Sequence, residues 1–381
     1  MSILIVGAGF AGATYARTLA EAGYQVHVID SRDHIGGNAY DYVHETGVRV
    51  HRYGPHLFHT NNEDVVRWLE RFGEFVPYEH SVTVSHGDRY LPMPIGRGTV
   101  EAYYDRRFET EAELEAFLAS VAIPSDNPRN AAEYLNSRIG PDLTDLLFRR
   151  YTKKMWNLDL EDMDAAVVKR ISINTGYEHR YFPNDKFQLM PRDGYTRIFE
   201  NIFDHPLIRI SLATAFDPSM VQDYDHVFTS AAIDEHYEYR FGQLPYRSLR
   251  FHSAVYPATE SDPPTSVVNF SDTGPFTRET YWHMLPQHLV TETGSYLKTK
   301  EEPCDFRDNN LERYYPVKDA AGESQARYLT YKELADKEEK LTFIGRCGTY
   351  QYLDMHQVIN QSLQGATRWL RERDEDARAA G

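Results

Sequence analysis

The sequence predicts an α/β fold: a discontinuous Rossmann-like domain, interrupted by a helical domain and by an antiparallel sheet domain. Three observations lead to this prediction. A glycine-rich turn joins a buried strand to an alanine-rich helix within residues 2–22. Residues 97–154 carry apolar side chains at three- and four-residue spacings with charges between them, as amphipathic helices do. A second strand, glycine turn and helix follow at residues 340–371, far along the chain.

The chain opens with a βαβ unit. The apolar run at residues 2–6 predicts a buried strand, residues 13–22 predict a helix, and residues 24–29 predict a second strand that ends at Asp30. Strand, helix and strand in this order are typical of a parallel sheet covered by helices, so the N-terminal region is assigned to the Rossmann-like domain.

Residues 7–12 read GAGFAG, which is a dinucleotide-binding fingerprint. In this spacing Gly7 permits a tight turn, Gly9 lets the backbone approach a pyrophosphate, and Gly12 lets the helix pack closely on the strand. The start of the helix offers free N–H groups and the positive end of its dipole to phosphates. Asp30 can accept hydrogen bonds from ribose hydroxyls.

The rest of the chain alternates between helical and extended patterns. Helices are predicted at residues 100–108, 111–119, 130–138, 141–154 and 354–371, and strands at residues 205–215, 225–229, 251–256, 266–270, 279–284 and 340–344. Residues 373–381 are expected to fray. These patterns divide the chain into a Rossmann-like domain (1–80, 205–240 and 335–381), a helical domain (97–170) and a sheet domain (81–96, 171–204 and 245–330).

Composition excludes several classes of protein. The 381 residues carry 41 basic and 57 acidic side chains, and the net charge of −16 argues against a nucleic-acid partner. No apolar run is long enough to cross a membrane, and the first residues lack the basic start of a signal peptide, so we expect a cytoplasmic protein. Two distant cysteines exclude a disulfide framework and a cysteine zinc site. An anionic ligand would need a few placed arginines to reverse the field locally.

Two separate segments indicate FAD rather than NAD as the dinucleotide. Residues 31–38 (SRDHIGGN) resemble the second glycine pair of FAD-dependent oxidoreductases, which runs past the phosphates of the cofactor. Gly345 and Arg346, between a strand and a helix start, resemble the closing segment of the same superfamily, where a second helix N-terminus faces the flavin.

Longer motifs carry a more specific resemblance. In order, the chain contains HRYGPHLFHT at 51–60, YTKKMW at 151–156, LMPRDGY at 189–195, YRSLRF at 246–251, VNF at 268–270, YYP at 314–316 and GRCGTYQYLDM at 345–355. Together these segments resemble the UDP-galactopyranose mutase family, and they span essentially the whole chain.

The resemblance implies an isomerase that interconverts UDP-galactopyranose and UDP-galactofuranose without net redox change. In the family, N5 of reduced FAD attacks the anomeric carbon of the sugar, UDP leaves, the ring opens and recloses as the furanose, and UDP returns. The resemblance also implies an external reductant such as NAD(P)H or a reductase, a homodimer, and galactofuranose synthesis for cell-wall or surface polysaccharide.

The resemblance assigns catalytic roles to five side chains. Arg170 and Arg278 would hold the diphosphate, because a guanidinium group is planar, permanently charged and bidentate toward phosphate. Tyr314 and Tyr352 would add phenol donors at the same phosphates. His56 would stand beside N5 and O4 of the flavin, as a hydrogen-bond donor or a proton shuttle.

The remaining site predictions concern the nucleoside and the cofactor. Substrate contacts are expected from Thr152, Trp156, Tyr181, Arg247 and Asn269. FAD contacts are expected from Gly7, Gly9, Phe10, Gly12, Asp30, Ser31, Gly37, Asn38, His56, Leu57, Arg346, Tyr352, Asp354 and Met355. The family uses residues 162–175 as a lid over the substrate, so we expect Arg170 to move inward on binding. No metal is expected, because His51, His56 and His59 lack a supporting carboxylate pattern.

Two segments depart from the family pattern and leave the substrate open. Tyr281 and His283 stand where the family carries Glu and Lys, and Pro92 and Gly96 lie in a segment that lacks its usual asparagines. We therefore expect retained chemistry, with UDP-N-acetylgalactosamine or a dTDP-deoxysugar as alternative substrates. Alternatives from other classes are a flavin oxidase or desaturase, and a non-catalytic flavin or nucleotide sensor.

Overall fold

The computed structural model describes residues 2–169, 171–178, 180–286 and 294–380, with side chains described up to residue 375. The strands are Ser2–Val6 (β1), Gln25–Ile29 (β2), Asp41–Val43 (β3), Arg49–His51 (β4), Phe58–Thr60 (β5), Phe75–Pro77 (β6), Val82–His86 (β7), Arg89–Met93 (β8), Phe187–Pro191 (β9), Ile208–Ser211 (β10), His226–Thr229 (β11), Tyr246–Pro257 (β12), Val267–Phe270 (β13), Arg278–Tyr281 (β14), Ser295–Asp305 (β15), Tyr315–Pro316 (β16) and Leu341–Phe343 (β17).

The helices lie between and after these strands. They are Phe10–Glu21 (α1), Glu63–Glu70 (α2), Arg97–Tyr104 (α3), Glu111–Val121 (α4), Ala131–Thr144 (α5), Arg150–Trp156 (α6), Ala166–Lys169 (α7), Tyr195–Phe203 (α8), Ile233–His236 (α9), Glu323–Ala335 (α10), Gly345–Gly348 (α11) and Met355–Ala380 (α12). Among the helices described here, none is long and apolar enough to cross a bilayer. The C-terminal residues 373–380 were expected to fray but continue the backbone of α12.

Five parallel strands form the first sheet, in the order β10-β2-β1-β11-β17. The central strand β1 lies between β2 and β11, and its residues Ile3, Leu4 and Ile5 are fully buried. A parallel sheet is covered on both faces, which explains why β1 reads as a continuous apolar run. Residues of α1, α8 and α12 share one apolar cluster with this sheet, and the Rossmann-like prediction is confirmed.

The second large sheet has seven strands, in the order β16-β12-β15-β14-β13-β7-β8. It is antiparallel apart from the β13–β7 pair, which is parallel. Its longest ladder runs from Arg247 opposite Asp305 to Pro257 opposite Ser295. The sequence patterns indicated only half of β12 and missed β15. The reason is that polar residues, such as Thr299 and Glu301, occupy buried positions in β15 and hide the usual alternation.

Helices α3 to α6 share an apolar cluster with this sheet, which includes the buried residues Leu114, Leu135 and Leu143. The predicted helix at 141–154 is interrupted in the structure. Gly140 has φ +76° ahead of Pro141, and a single wide turn, Asp145–Arg149, separates α5 from α6. Gly140 and Pro141 break the regular hydrogen-bond ladder inside α5, and α5 is therefore kinked at Gly140.

Candidate active site

A cavity of about 700 Å³ lies where the two large sheets meet. On one side it is lined by residues that follow the carboxyl ends of β1, β11 and β17, namely Gly9, Ser230 and Gly345. Carboxyl ends of parallel strands meet at one edge of a sheet, and ligands of such folds bind there. The cavity wall includes the predicted residues Gly9, Phe10, Asn38, His56, Leu57, Tyr181, Asn269, Arg278, Tyr314, Arg346, Tyr352, Asp354 and Met355.

The end of the cavity at the two glycine loops, residues 7–12 and 36–38, is its nucleotide end, and it is built from main chain. Gly9 precedes α1, and no side chain caps that helix, so its first N–H groups remain available. A Cβ atom on Gly37 would lie 2.9 Å from the Gly9 Cα, which shows how closely the two glycine loops approach each other. An uncapped helix start beside two glycine loops fits a dinucleotide diphosphate, as FAD requires.

Five predicted cofactor residues shape these loops without lining the cavity: Gly7, Gly12, Asp30, Ser31 and Gly37. A Cβ atom on Gly12 would lie 1.9 Å from the Gly7 carbonyl oxygen, so the strand and the helix can pack only around a glycine. The Asp30 carboxylate accepts hydrogen bonds from the backbone N–H groups of Ala8 (2.8 Å) and Arg32 (2.9 Å). These contacts hold the fingerprint loop against the end of β2.

A row of side chains crosses the seven-stranded sheet at the opposite wall. Asn269 on β13 stands opposite Arg278 on β14, which in turn stands opposite Glu301 on β15. Residues directly opposite each other share a face of the sheet, so the strand register places all three side by side. Asn269 and Arg278 line the cavity, and Glu301 is 1% exposed behind them.

Arg278 and Glu301 form a buried ion pair. Nη2 of Arg278 lies 2.7 Å from Oε2 of Glu301. Burial alone would lower the pKa of Arg278, but the carboxylate of Glu301 raises that pKa well above its usual value. Nε of Arg278 and Oε1 of Glu301 have no hydrogen-bond partner among the described residues. The guanidinium is therefore permanently charged and retains a donor for a ligand.

Tyr314, Tyr315 and Tyr352 also line the cavity. The Tyr314 hydroxyl donates to the Tyr53 carbonyl oxygen, and the rings of Tyr315 and Tyr352 stack with centroids 5.5 Å apart. Arg346 donates to the Tyr314 carbonyl oxygen at 2.8 Å. Burial raises the pKa of Tyr314 well above its usual value, so its phenol stays neutral and keeps its hydrogen on the Tyr53 carbonyl oxygen.

Two histidines that line the cavity, His56 and His80, and His51 behind His56 are neutral near pH 7. Burial lowers the pKa of His51, His56 and His80 to about 3. The backbone N–H of His56 donates to Nδ1 of His51 at 3.0 Å. Nδ1 of His56 lies 2.9 Å from the Gly54 carbonyl oxygen, which can only accept, so Nδ1 carries the hydrogen and Nε2 is left as an acceptor.

The residues of α6 that line the cavity differ from the predicted ones. Tyr151 and Met155 line the wall, whereas Thr152 and Trp156 do not. Residues four apart share a face of a helix, so one pair faces the cavity and the adjacent pair packs inward. Trp156 is 8% exposed, and its ring lies 5.8 Å from that of Tyr315.

Arg247 supports this helix from behind. Its guanidinium donates to the backbone carbonyl oxygens of Met155 at 2.9 Å and of Lys154 at 3.1 Å. Arg247 does not line the cavity, and its contacts hold the last turn of α6 in place.

Arg170 lies outside the described residues. Its neighbours Lys169 and Ile171 line the cavity. Charged residues in the described lining are the cations Lys169, Arg278 and Arg346 and the acids Asp185 and Asp354. In a chain with a net charge of −16, these three cations are the positive groups that the described lining offers to an anion.

The four residues that depart from the family pattern do not line the cavity: Pro92, Gly96, Tyr281 and His283. The Tyr281 hydroxyl donates to Oε2 of Glu279 at 2.8 Å, and Nε2 of His283 lies 2.8 Å from Oδ2 of Asp262. Alternate residues of a strand point to opposite faces, so Tyr281 is on the face away from Arg278. These departures therefore give no reason to expect a changed substrate pocket.

Sequence reasoning missed several residues of the site. Tyr151 and Tyr315 belong to the YTKKMW and YYP segments, in which the predicted site residues are their neighbours Thr152 and Tyr314. Tyr53 lies in the HRYGPHLFHT segment. His80 and Glu301 belong to none of the motifs, and only the register of the sheet brings Glu301 to Arg278.

Comparisons with known proteins agree with this geometry. A family model described as UDP-galactopyranose mutase matches residues 146–352, and one described as an NAD(P)-binding Rossmann-like domain matches residues 5–72. A dTDP-fucopyranose mutase of Escherichia coli is 36% identical over 98% of this chain and 99% of its own. A protein described as a probable UDP-galactopyranose mutase of Klebsiella pneumoniae is 37% identical over 97% of this chain and 94% of its own.

Solved structures show the same architecture. A crystal structure of reduced UDP-galactopyranose mutase superposes with a TM-score of 0.72 at 16% identity, over 97% of this chain and 95% of that one. At this identity the likeness concerns the fold, whereas the relatives above concern the family. The chain belongs to the UDP-galactopyranose mutase family, and it is an FAD-dependent isomerase on a Rossmann-like fold.

Proposed function

We propose that this protein interconverts the pyranose and furanose forms of a nucleoside-diphosphate hexose, with UDP-galactose as the first candidate. The observation that carries the proposal is the convergence of Arg278, Tyr314 and Tyr352 on one cavity with the two glycine loops. A cation, phenols and a dinucleotide site in one cavity are what displacement of a diphosphate beside a flavin requires.

The cofactor residues are proposed from the main-chain end of the cavity. Gly9, Phe10 and Asn38 would hold the diphosphate of FAD with the uncapped start of α1, and Asp354 and Met355 would meet the flavin at the start of α12. When bound and reduced, FAD supplies the nucleophilic nitrogen N5 for the anomeric carbon of the sugar.

Arg278 would stabilise the departing diphosphate. Glu301 holds its guanidinium in place and fixes its charge, so the cation is preorganised before the substrate arrives. A charge-assisted contact of this kind contributes roughly 1.5–3 kcal/mol. If the contact strengthens as the glycosyl bond breaks, its removal lowers turnover by about 10²–10³. Arg170 remains the predicted second arginine.

His56 would position a proton rather than carry a charge. Its ring is neutral near pH 7 because burial lowers its pKa to about 3. With Nδ1 occupied by the Gly54 carbonyl oxygen, Nε2 accepts a hydrogen bond from a group in the cavity. Tyr352 would offer its phenol as a donor to the substrate, whereas Tyr314, whose hydroxyl donates to the Tyr53 carbonyl oxygen, would contribute its ring to the wall of the sugar pocket.

A dTDP-deoxysugar is the second candidate substrate. The E. coli dTDP-fucopyranose mutase covers 98% of this chain at 36% identity, close to the 37% of the Klebsiella relative. The cavity residues described here would bind the diphosphate and the sugar ring, which both candidate substrates contain. Identity to these two relatives does not separate the candidates, so a direct assay must.

The decisive experiment is a substrate panel. FAD-loaded enzyme reduced with dithionite is incubated with UDP-galactose, UDP-N-acetylgalactosamine, dTDP-fucose and dTDP-galactose, and chromatography resolves furanose from pyranose. We expect furanose from one nucleotide series, at a rate at least tenfold above the other, and no turnover with oxidised flavin. Hydrolysis products alone, or equal activity with oxidised enzyme, would contradict the proposal. Oxygen consumption would indicate a flavin oxidase instead.

Four finer expectations accompany the proposal. The reaction transfers no net electrons and cannot reduce its own flavin, so an external donor such as NAD(P)H or a reductase is required. A homodimer, a cytoplasmic location and use of the product in a cell-wall or surface polysaccharide are expected from the family. Analytical ultracentrifugation and cell fractionation test the first two of these three expectations.

We also propose the three-part division of the chain, with boundaries as predicted from the sequence. The parallel sheet takes its strands from segments within 1–80, 205–240 and 335–381, which supports the discontinuous FAD domain. Helices α3 to α6 lie within 97–170 and support the helical domain.

A further inference from the structure

Two histidines and a carboxylate meet at the α12 end of the cavity. One ligand atom from each of His59, Asp354 and His356 lies within 4.8 Å of the others. His59 belongs to β5, Asp354 directly precedes α12, and His356 is in the first turn of that helix. The three residues all line the cavity, so an ion can reach them.

The hydrogen bonds around His59 leave a metal-binding nitrogen available. Nδ1 of His59 lies 2.6 Å from Oδ2 of Asp185. Asn61 donates to the other oxygen of the same carboxylate at 3.0 Å, which holds Asp185 in place. A carboxylate on one ring nitrogen fixes the tautomer and presents the other nitrogen as a lone pair, an arrangement that recurs behind metal-bound histidines.

His356 provides the second, independent observation. Its Nδ1 is buried and has no hydrogen-bond partner among the described residues. A buried polar atom without a partner is unfavourable unless a ligand or water satisfies it.

An aromatic packing role explains only part of this cluster. The ring of His59 stacks on Phe182 with centroids 3.5 Å apart. Packing alone does not require the carboxylate of Asp354 beside two imidazole rings, or the unpartnered nitrogen of His356. Both are accounted for by a bound cation.

We propose that His59, Asp354 and His356 bind one divalent transition-metal ion, zinc in the first place, with water as the fourth ligand and Asp185 as the outer carboxylate. Two imidazoles and one carboxylate favour zinc over calcium or magnesium, which prefer oxygen ligands throughout. A metal is not expected from the histidines near His59 in the chain, because the carboxylates of Asp354 and Asp185 come from distant segments. The proposal is independent of the substrate.

Zinc titration of the FAD-loaded enzyme tests the site. After dialysis against EDTA and removal of the chelator, calorimetry with ZnCl₂ should show one equivalent per chain. His356→Ala and Asp354→Asn should each weaken zinc binding at least tenfold, and Asp185→Asn about 10–100-fold, as loss of an outer-shell partner does. His252→Ala is the matched control, because its ring is exposed and contacts Glu302 away from the cavity.

Two further readouts keep the test independent of activity. The flavin absorbance of each variant shows whether FAD is retained, so loss of the cofactor and loss of the metal are distinguished. Zinc should raise the melting temperature of the wild type and of His252→Ala, but not of His356→Ala, because the ion joins β5 to α12. Equal zinc affinity in wild type, His356→Ala and Asp354→Asn would overturn the proposal.

Discussion

The two ends of the cavity are built in different ways. At the nucleotide end, residues 7–12 and 36–38 present main chain, and glycines allow the loops to meet. At the opposite wall, Asn269, Arg278 and Glu301 present side chains from three strands in one register. The first end depends on the absence of side chains and the second on their alignment. Substitutions should therefore affect cofactor binding at one end and turnover at the other.

The largest effect on FAD content is expected from a side chain added at the nucleotide end. A Cβ atom on Gly9 would lie 3.5 Å from the Gly37 Cα, an ordinary contact, so Gly9→Ala should fold. The new methyl group would stand where the backbone approaches the diphosphate, and we expect FAD content to fall at least tenfold. Flavin absorbance per chain and circular dichroism measure the two effects.

Gly12→Ala is the matched comparison, because its Cβ atom would lie 1.9 Å from the Gly7 carbonyl oxygen. That variant should lose stability as well as FAD. Full FAD occupancy in Gly9→Ala would contradict the expectation that the nucleotide end depends on the absence of side chains.

The largest effect on turnover by FAD-loaded enzyme is expected at Arg278. Arg278→Ala should lower kcat by about 10²–10³ while the protein stays yellow, because the guanidinium acts on the diphosphate and not on the cofactor. Arg278→Lys should recover only part of the rate, since an ammonium group is a point charge that cannot bind in bidentate fashion. Single-turnover kinetics with reduced enzyme measure the step. Loss of FAD in the alanine variant would show that the two ends are not separable.

Glu301 tests the side-chain wall through its ion pair with Arg278. Glu301→Gln keeps the shape of the side chain but removes the countercharge of Arg278, and we expect a loss of about 1–3 kcal/mol in the free energy of unfolding. Turnover should fall by less than in Arg278→Ala. Glu302→Gln is the control, because Glu302 follows on the other face of β15 and contacts His252. Urea unfolding monitored by fluorescence measures both variants, and equal losses would contradict the prediction.

The buried histidines predict a pH dependence of stability. The pKa of His80 is about 3 in the folded chain, against the ordinary value of 6.5, so the unfolded chain binds more protons between these values. The stabilisation is complete above pH 6.5 and is lost as the pH falls, by up to about 1.4 kcal/mol per pH unit for each histidine. His80→Asn should reduce this slope by up to one proton in urea unfolding between pH 7.5 and 5. An unchanged slope would contradict the assignment.

The smallest effect is expected on the far face of β14. Tyr281→Phe removes the hydrogen bond to Glu279 and should cost about 1 kcal/mol of stability or less. Because Tyr281 does not line the cavity, kcat and KM should stay within about twofold of the wild type, an order-of-magnitude expectation for a residue outside the site. A change in the preferred nucleotide sugar would show that this face does influence specificity.

Local patterns determined the features that depend on neighbouring residues. The glycine spacing, the apolar strand before it and the acid after it predict the Rossmann-like fold and the dinucleotide, because each feature acts within one βαβ unit. The family motifs led to His56, Arg278, Tyr314 and Tyr352, which share one cavity in the structure. Strands with polar residues in buried positions, such as β15, are not predicted from the sequence, because their buried and exposed residues do not alternate between apolar and polar.

Tertiary structure alone decided which side chains meet. The register of β13, β14 and β15 places Glu301 behind Arg278, and the orientation of α6 selects Tyr151 rather than Thr152 for the cavity wall. The packing of β5 beside the start of α12 assembles His59 with His356. Such contacts join segments far apart in the chain, so their geometry is set by sheet register and helix packing, which no local spacing of residues encodes.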